Sequence, residues 1–330
     1  MLSDVLAKTK IKFLQLDPFG YCNAKCWFCP VKYFPQPEEG SGVMPIELVD
    51  KILSEIYEEK NKPDGIVHSL FNLVTLSHYN EILLYKHFDE LLALLRKYSF
   101  KCYVLSNGIP LSKQKVDLIK EYKDVVIHVG LNVPAFEKSL WAKRTGFTED
   151  HFDRLMENLN YAQEQLQHLG DELQIGVNGI DQEPISGGYI ATGEQFESHQ
   201  YDLNSKHGEH ETQFNLGKKM FPKTNVHKNY LYDRAGTIDH IVTNKPWIKQ
   251  LRKTQRVTGC NNGGDRSKEW LNVNSAGHTF LCCNDYHFDY KFGDLKTQSI
   301  REVWLGEKRA KTVLQAYSEI CKNCHLATFN

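Results

Sequence analysis

Residues 22–29 read Cys-Asn-Ala-Lys-Cys-Trp-Phe-Cys, which places three thiols within eight residues. This stretch constrains the chain more than any apolar run, because soft thiolates at such spacing suit zinc or an iron–sulfur cluster. The number of ligands is informative. A structural zinc site closes with four, whereas a cluster held by Cys22, Cys26 and Cys29 alone leaves one iron open to another molecule.

The remaining cysteines gather at the other end. Of nine in 330 residues, Cys260, Cys282, Cys283, Cys321 and Cys324 lie C-terminal, and only Cys102 stands alone, in a predicted strand, where it reads as core. Clustered thiols in a chain of this length read as metal ligands of a reducing compartment rather than as a disulfide scaffold. Apolar residues make up 41% and charged residues 25%, as in ordinary globular proteins. Forty basic and 41 acidic residues give a formal net charge of −1, so no broad basic field attracts nucleic acid or an anionic membrane. The apolar runs fall well short of the roughly 20 residues that span a bilayer. Met1-Leu2-Ser3-Asp4 opens no signal peptide. The expectation is a cytoplasmic protein with neither a membrane nor a nucleic acid as partner.

Along the chain, strand and helix alternate. Residues 11–16 read as a strand ended by Pro18 and Gly20, and the cysteine loop follows. A helix is predicted from about 45 to 60, with Ile46, Val49, Leu53 and Ile56 on one face. Strands are predicted over 66–77, 100–105, 125–131 and 173–180, and helices over 86–98, 111–122, 135–143 and 149–168. This rhythm argues for parallel βαβ units, with binding residues at the carboxyl ends of the strands. From 181 to 250 the pattern weakens into glycine-rich and polar sequence. His199, His207, His210, His227 and His240 lie there without the close pairing of a metal site.

The C-x3-C-x2-C loop resembles the signature of radical S-adenosylmethionine (SAM) enzymes, in which the open iron binds SAM. The resemblance covers about residues 10–180 and implies a role for residues at successive strand ends. Phe28, before the third cysteine, would lie near the adenine. Tyr79-Asn80-Glu81 stands where the family carries Gly-Gly-Glu. Both glycines are replaced, but the carboxylate that would grip the SAM ammonium is kept. Ser106-Asn107-Gly108 resembles the family's Thr-Asn-Gly turn beside the ribose. Asn132 and Arg144 fall where a polar residue and an arginine bind the SAM carboxylate, which suits the planar guanidinium.

The C-terminal cysteines resemble the SPASM/twitch extension of the same superfamily. Cys260, Cys282 (behind a hairpin at Gly277), Cys321 and Cys324 would hold one auxiliary [4Fe–4S] cluster, as in the shortened twitch form of the aminocyclitol dehydrogenase type. The full SPASM form holds two clusters and needs more than the five cysteines present here. Cys283 is left over, as a buried neighbour, an alternative ligand or a hydrogen-atom donor. The zinc reading of these four thiolates stays open on the residues alone.

The expected fold is α/β: a partial (β/α)6 barrel over residues 1–180, a loop-rich segment over 181–255, and a small twitch domain over 256–330. The expected cofactors are two [4Fe–4S] clusters and SAM, reduced by a carrier such as flavodoxin or ferredoxin. The expected activity is oxidation of a small polar substrate of the aminocyclitol or sugar kind. A peptide maturase and a redox-neutral epimerase are the alternatives. Only about ten residues precede the first strand, so the sequence predicts no N-terminal peptide-recognition domain.

Overall fold

The computed structural model describes residues 6–35, 38, 41–179, 189–191, 208–240, 242–244, 252–261 and 264–330. His199 and His207 lie outside the described residues. The strands run in chain order as β1 (Phe13–Leu16), β2 (Leu73–Thr75), β3 (Lys101–Ser106), β4 (Val126–Asn132), β5 (Leu173–Gly179), β6 (Tyr189–Ala191), β7 (Asn225–Tyr230), β8 (Val242–Asn244), β9 (Val257–Cys260), β10 (Trp270–Val273), β11 (His278–Phe280), β12 (Lys291–Asp294) and β13 (Ala327–Phe329). The chain divides into two compact units. Met1–Tyr21, Gln36–Cys102 and Pro246–Asn330 form the first, and Cys22–Pro35 and Tyr103–Lys245 the second. Both are α/β and built on parallel strands. No helix among the described residues is long and apolar enough to cross a membrane.

In the first unit β1 is paired on both sides. It runs parallel to β2 (Leu14 opposite Val74) and parallel to β10 (Phe13 opposite Trp270). β11 and β12 then add antiparallel to β10. The C-terminal residues therefore extend the ladder that the first strand begins. Gly277, at a φ of 82° that a side chain disfavours, turns β10 into β11, and the Asn274 carboxamide accepts from the Ala276 and His278 N–H groups. The predicted 66–77 strand is cut to Leu73–Thr75. His68, Ser69 and Leu70 turn instead, with the Leu70 N–H donating to His68 Nδ1 at 3.2 Å. Helix Ile46–Asn61 buries Val49, Ile52, Leu53 and Ile56, and helix Phe88–Lys97 buries Phe88, Leu91, Leu92 and Leu95. Arg309 of helix Glu307–Ser318 is buried and donates to the carbonyls of Leu6, Trp304 and Lys268, which pins the C-terminal helix to the rest of the unit.

In the second unit β4, β5 and β7 are parallel neighbours, with Val129 opposite Leu173 and Gln174 opposite Asn225. Helices Lys113–Glu121, Lys138–Thr145, Asp150–Gln165 and Glu209–Met220 belong to this unit. The last helix and β7 form a further helix–strand pair within the stretch where the sequence pattern weakens. β7 reads Asn-Val-His-Lys-Asn-Tyr, with too few apolar residues to signal a strand. Gly217 lets its helix approach closely, because an added Cβ would stand 2.4 Å from the Phe136 ring.

Glu59, on helix Ile46–Asn61, has a side chain only 5% exposed and takes two bonds from the Arg301 guanidinium, at 3.1 and 2.8 Å. Burial raises its carboxyl pKa, but the bonds from Arg301, Lys62 and the Ile66 N–H outweigh this and hold it at about 2. Its contribution is complete above the ordinary glutamate range and is lost as pH falls from 4.5 through about 2. Glu59→Gln should therefore lower stability at pH 7 by about 2–3 kcal/mol. Urea unfolding of both proteins at pH 7 and pH 3 checks this, and the gap between them should narrow at the lower pH.

Candidate cluster and cofactor sites

The cysteine loop is held by backbone bonds. Lys25 N–H donates to the Thr145 carbonyl at 2.8 Å and Trp27 N–H to the Arg144 carbonyl at 3.0 Å. Gly146 ends helix Lys138–Thr145 with φ 76°, and an added Cβ there would lie 3.1 Å from the Lys25 Cβ. All three thiols of the loop are half-buried. Trp27 and Phe28 form an apolar cluster with Leu231 and Ile238, and Cys26, Cys29, Tyr33 and Tyr232 pack against it. Phe28 stands edge-on to Trp27, with ring centroids 6.0 Å apart. Burial pushes the Cys29 thiol pKa up, and the Val31 N–H and the Arg234 charge pull it back.

The second unit also holds the Ser-Asn-Gly turn. Asn107 Nδ2 donates to Asn23 Oδ1 at 2.8 Å and lies 3.9 Å from Cys22 Sγ. Ser106 Oγ accepts from the Gly108 N–H, so the buried serine shapes its own turn. Asn132 ends β4, half-buried. Arg144 is buried, donates to the Pro134 carbonyl at 2.6 Å and pairs with Glu209 at 3.3 Å.

Tyr79, Asn80 and Glu81 belong to the first unit. The Glu81 N–H donates to the carbonyl of Tyr21, the residue before Cys22. The Glu81 carboxylate is buried and accepts from the Leu83 N–H, capping the short turn Ile82–Leu84. Asn80 Nδ2 donates to the Asp17 carboxylate, and Tyr79 stands edge-on to His78 and Tyr286. Asp17 follows β1, and His78 follows β2. Their side chains are 3% and 2% exposed, with Nδ1 3.6 Å from the carboxylate. Burial raises the Asp17 carboxyl pKa, and the bonds from His78 and Asn80 oppose it. Sequence reasoning passed over this pair, although two strand ends are where polar side chains gather in such sheets. It also passed over Leu231, Tyr232, Arg234 and Ile238. The turn that carries them is closed by Gly236 and Ile238 N–H groups donating to the Asp233 carbonyl.

The C-terminal thiols also lie in the first unit. Cys260 ends β9 opposite Ala327 of β13. Cys282 follows β11, and the Cys324 N–H donates to the Cys321 carbonyl. Cys282 and Cys321 pack against a buried group formed by Leu6, Val257, Leu281, Val313, Ala316 and Tyr317. Burial, then the neighbouring Cys324, drives the Cys260 thiol pKa to about 12. The Cys321 thiol is raised by burial first and then by Cys324 and Cys260, and the Cys282 thiol by burial first and then by Cys283, Cys321 and Cys324. Among the described residues, no three His, Cys, Asp or Glu side chains converge on a single-ion position. The donor set fits an iron–sulfur cluster. Cys324 is buried and Cys260, Cys282 and Cys321 are half-buried, and neighbouring thiolates disfavour one another's ionisation until a multivalent cation offsets the charge. Cys102 is fully buried in β3, as a core residue.

Comparison with known proteins agrees with this arrangement. A radical SAM superfamily model matches residues 16–185, and an iron–sulfur cluster-binding SPASM domain matches 260–325. No curated protein matches the chain. Among solved structures, BtrN in complex with AdoMet and 2-DOIA is similar at TM-score 0.53 and 13% identity, over 96% of this chain and 91% of BtrN. Streptococcus suis SuiB bound to its precursor peptide SuiA is similar at TM-score 0.61 and 14% identity, over 96% and 70%. Native anSMEcpe with bound AdoMet is similar at 0.56 and 14%, over 94% and 86%. The superfamily match spans just over half of the 330 residues, with the loop of three cysteines behind its first strand. The chain therefore belongs to the radical SAM superfamily, with a SPASM domain and with SAM and [4Fe–4S] clusters as its cofactors.

Proposed function

We propose that the protein oxidises a small polar substrate of the aminocyclitol or sugar kind by two electrons, with Cys22, Cys26 and Cys29 holding the SAM-binding cluster and Cys260, Cys282, Cys321 and Cys324 an auxiliary one. The observation that carries this reading is a second gathering of thiols in the C-terminal part of the chain, where Cys260 ends β9, Cys282 and Cys321 pack on one buried group, and Cys324 raises the pKa of all three. Such a set would hold a redox centre beyond the one that cleaves SAM. When bound, these groups supply a 5′-deoxyadenosyl radical that takes a hydrogen atom from carbon, and an acceptor for one further electron. One proton leaves as well, which completes the two-electron change.

The chain's own residues bind and orient. Glu81 is assigned to the SAM ammonium and Arg144, held by Pro134 and Glu209, to its carboxylate. Asn132, Tyr79 and Asn80 complete the polar contacts at the strand ends, Ser106 and Asn107 shape the turn beside the ribose, and Phe28 faces the adenine. Support for the substrate class comes from BtrN, whose structure holds AdoMet together with 2-DOIA. The structure of SuiB with its precursor peptide favours a second reading, a peptide maturase. The reductant is assigned to a one-electron carrier such as flavodoxin or ferredoxin. Nine cysteines clustered toward the two ends of the sequence suit a reducing, cytoplasmic setting.

Three measurements test the reading. Anaerobic reconstitution should give about eight irons per chain, and replacing Cys22, Cys26 and Cys29 together by alanine should leave about four. A wild-type value near four, or bound zinc, removes the auxiliary cluster. Glu81→Ala should weaken SAM binding by about 1.5–3 kcal/mol, the range for a hydrogen bond to a charged group. Unchanged SAM affinity sinks that assignment. With deuterated 2-DOIA as probe, deuterium from the oxidised carbon should appear in 5′-deoxyadenosine. Transfer from a labelled peptide instead would establish the maturase reading.

A further inference from the structure

Asn284 follows the Cys282-Cys283 pair and is 3% exposed. Its Nδ2 donates to Cys324 Sγ at 3.2 Å, across 40 residues of sequence. Its backbone N–H donates to the Cys282 thiol. One residue thus hydrogen-bonds sulfurs from two separate segments, the end of the β10–β11 hairpin and the final C-x2-C turn. The carboxamide Oδ1 is buried without a partner among the described residues, so the bond to sulfur is what orients the amide. The nearest parallel in the second unit is looser. Asn107 lies 3.9 Å from Cys22 Sγ, and its amide has a better acceptor in Asn23 at 2.8 Å.

We infer that Asn284 is a positioning residue of the auxiliary site: it holds Cys282 and Cys324 in ligating register and raises the reduction potential of the cluster they bind. The inference rests on the reading of these two cysteines as ligands. An N–H group aimed at a thiolate stabilises negative charge on sulfur, and the reduced cluster carries one more negative charge than the oxidised one. The bonds therefore strengthen on reduction, and the potential rises. A higher potential makes the site a better acceptor for an electron leaving an oxidised substrate.

The experiment needs no substrate. Full-length protein with Cys22, Cys26 and Cys29 replaced by alanine isolates the auxiliary cluster for potentiometry followed by electron paramagnetic resonance. Asn284→Leu in this background should keep its iron, while the equilibrium constant for reduction falls about tenfold, equivalent to 59 mV for one electron. Asn284→Gln, which restores an amide donor, should recover part of the shift. An Asn284→Leu protein with full iron and an unchanged potential overturns the inference. Should Asn284→Leu fail to hold iron, protein carrying Asn284 and labelled with 15N in asparagine side chains decides. A coupling from amide nitrogen to the reduced cluster is expected, and its absence overturns the inference. The ligand reading fails separately, on a different number: Cys324→Ala would then keep the auxiliary iron.

Discussion

A thiolate buried beside other thiolates is held apart from its natural charge state twice over, by lost solvation and by the repulsion of its neighbours. The C-terminal part of this protein gathers Cys260, Cys282, Cys321 and Cys324 under that constraint, and much of the surrounding structure serves to keep them together. β9 and β13 pair so that Cys260 faces Ala327. The Asp285 carboxylate accepts from the Asp289 and Tyr290 N–H groups and closes the loop after Cys282. Burial moves that carboxyl pKa up to about 7. Arg309 fixes the helix that leads into the last two cysteines by bonding three backbone carbonyls. Iron bound there would supply the positive charge that lets such thiols ionise together, and would couple metal loading to the folding of this region.

The N-terminal cysteines follow a different logic. Their loop takes its shape from backbone bonds to the end of helix Lys138–Thr145 and from the apolar packing of Trp27, Phe28, Leu231 and Ile238. Fewer thiols crowd one another here, and the Arg234 charge acts on Cys29. One site is organised by a loop moulded onto its neighbours, the other by side chains brought from distant parts of the chain.

That difference sets how much could be read in advance. The cysteine loop, the Ser106-Asn107-Gly108 turn and most of the helices are local features, and spacing and turn chemistry announce them. Helix Ile46–Asn61 falls within a residue of the expected span. β7 was hidden because its residues are mostly polar and take their place through a parallel neighbour, β5. The packing of Leu231 and Ile238 on the cysteine loop has no periodicity to reveal it. Neither the Asp17–His78 pair nor the Asn284 bond to Cys324 has a sequence signature, because each joins residues that only the folded chain brings together. The C-terminal cysteines stand out in the sequence by their clustering, but the bond from the Asn284 amide to Cys324 does not.

The position of β1 has a consequence for biosynthesis. Its ladder is shared between β2, at Leu73–Thr75, and β10, at Trp270–Val273, which is made much later. While the ribosome is still adding the intervening residues, one edge of the first strand has no partner, and such an edge is open to pairing with other chains. β1 is short, four residues, and so offers a stray strand little to pair with. The ladder of the first unit can be completed only when the segment bearing the C-terminal cysteines has emerged. A chain that stops before β10 leaves its first strand without the partner that pairs all four of its residues.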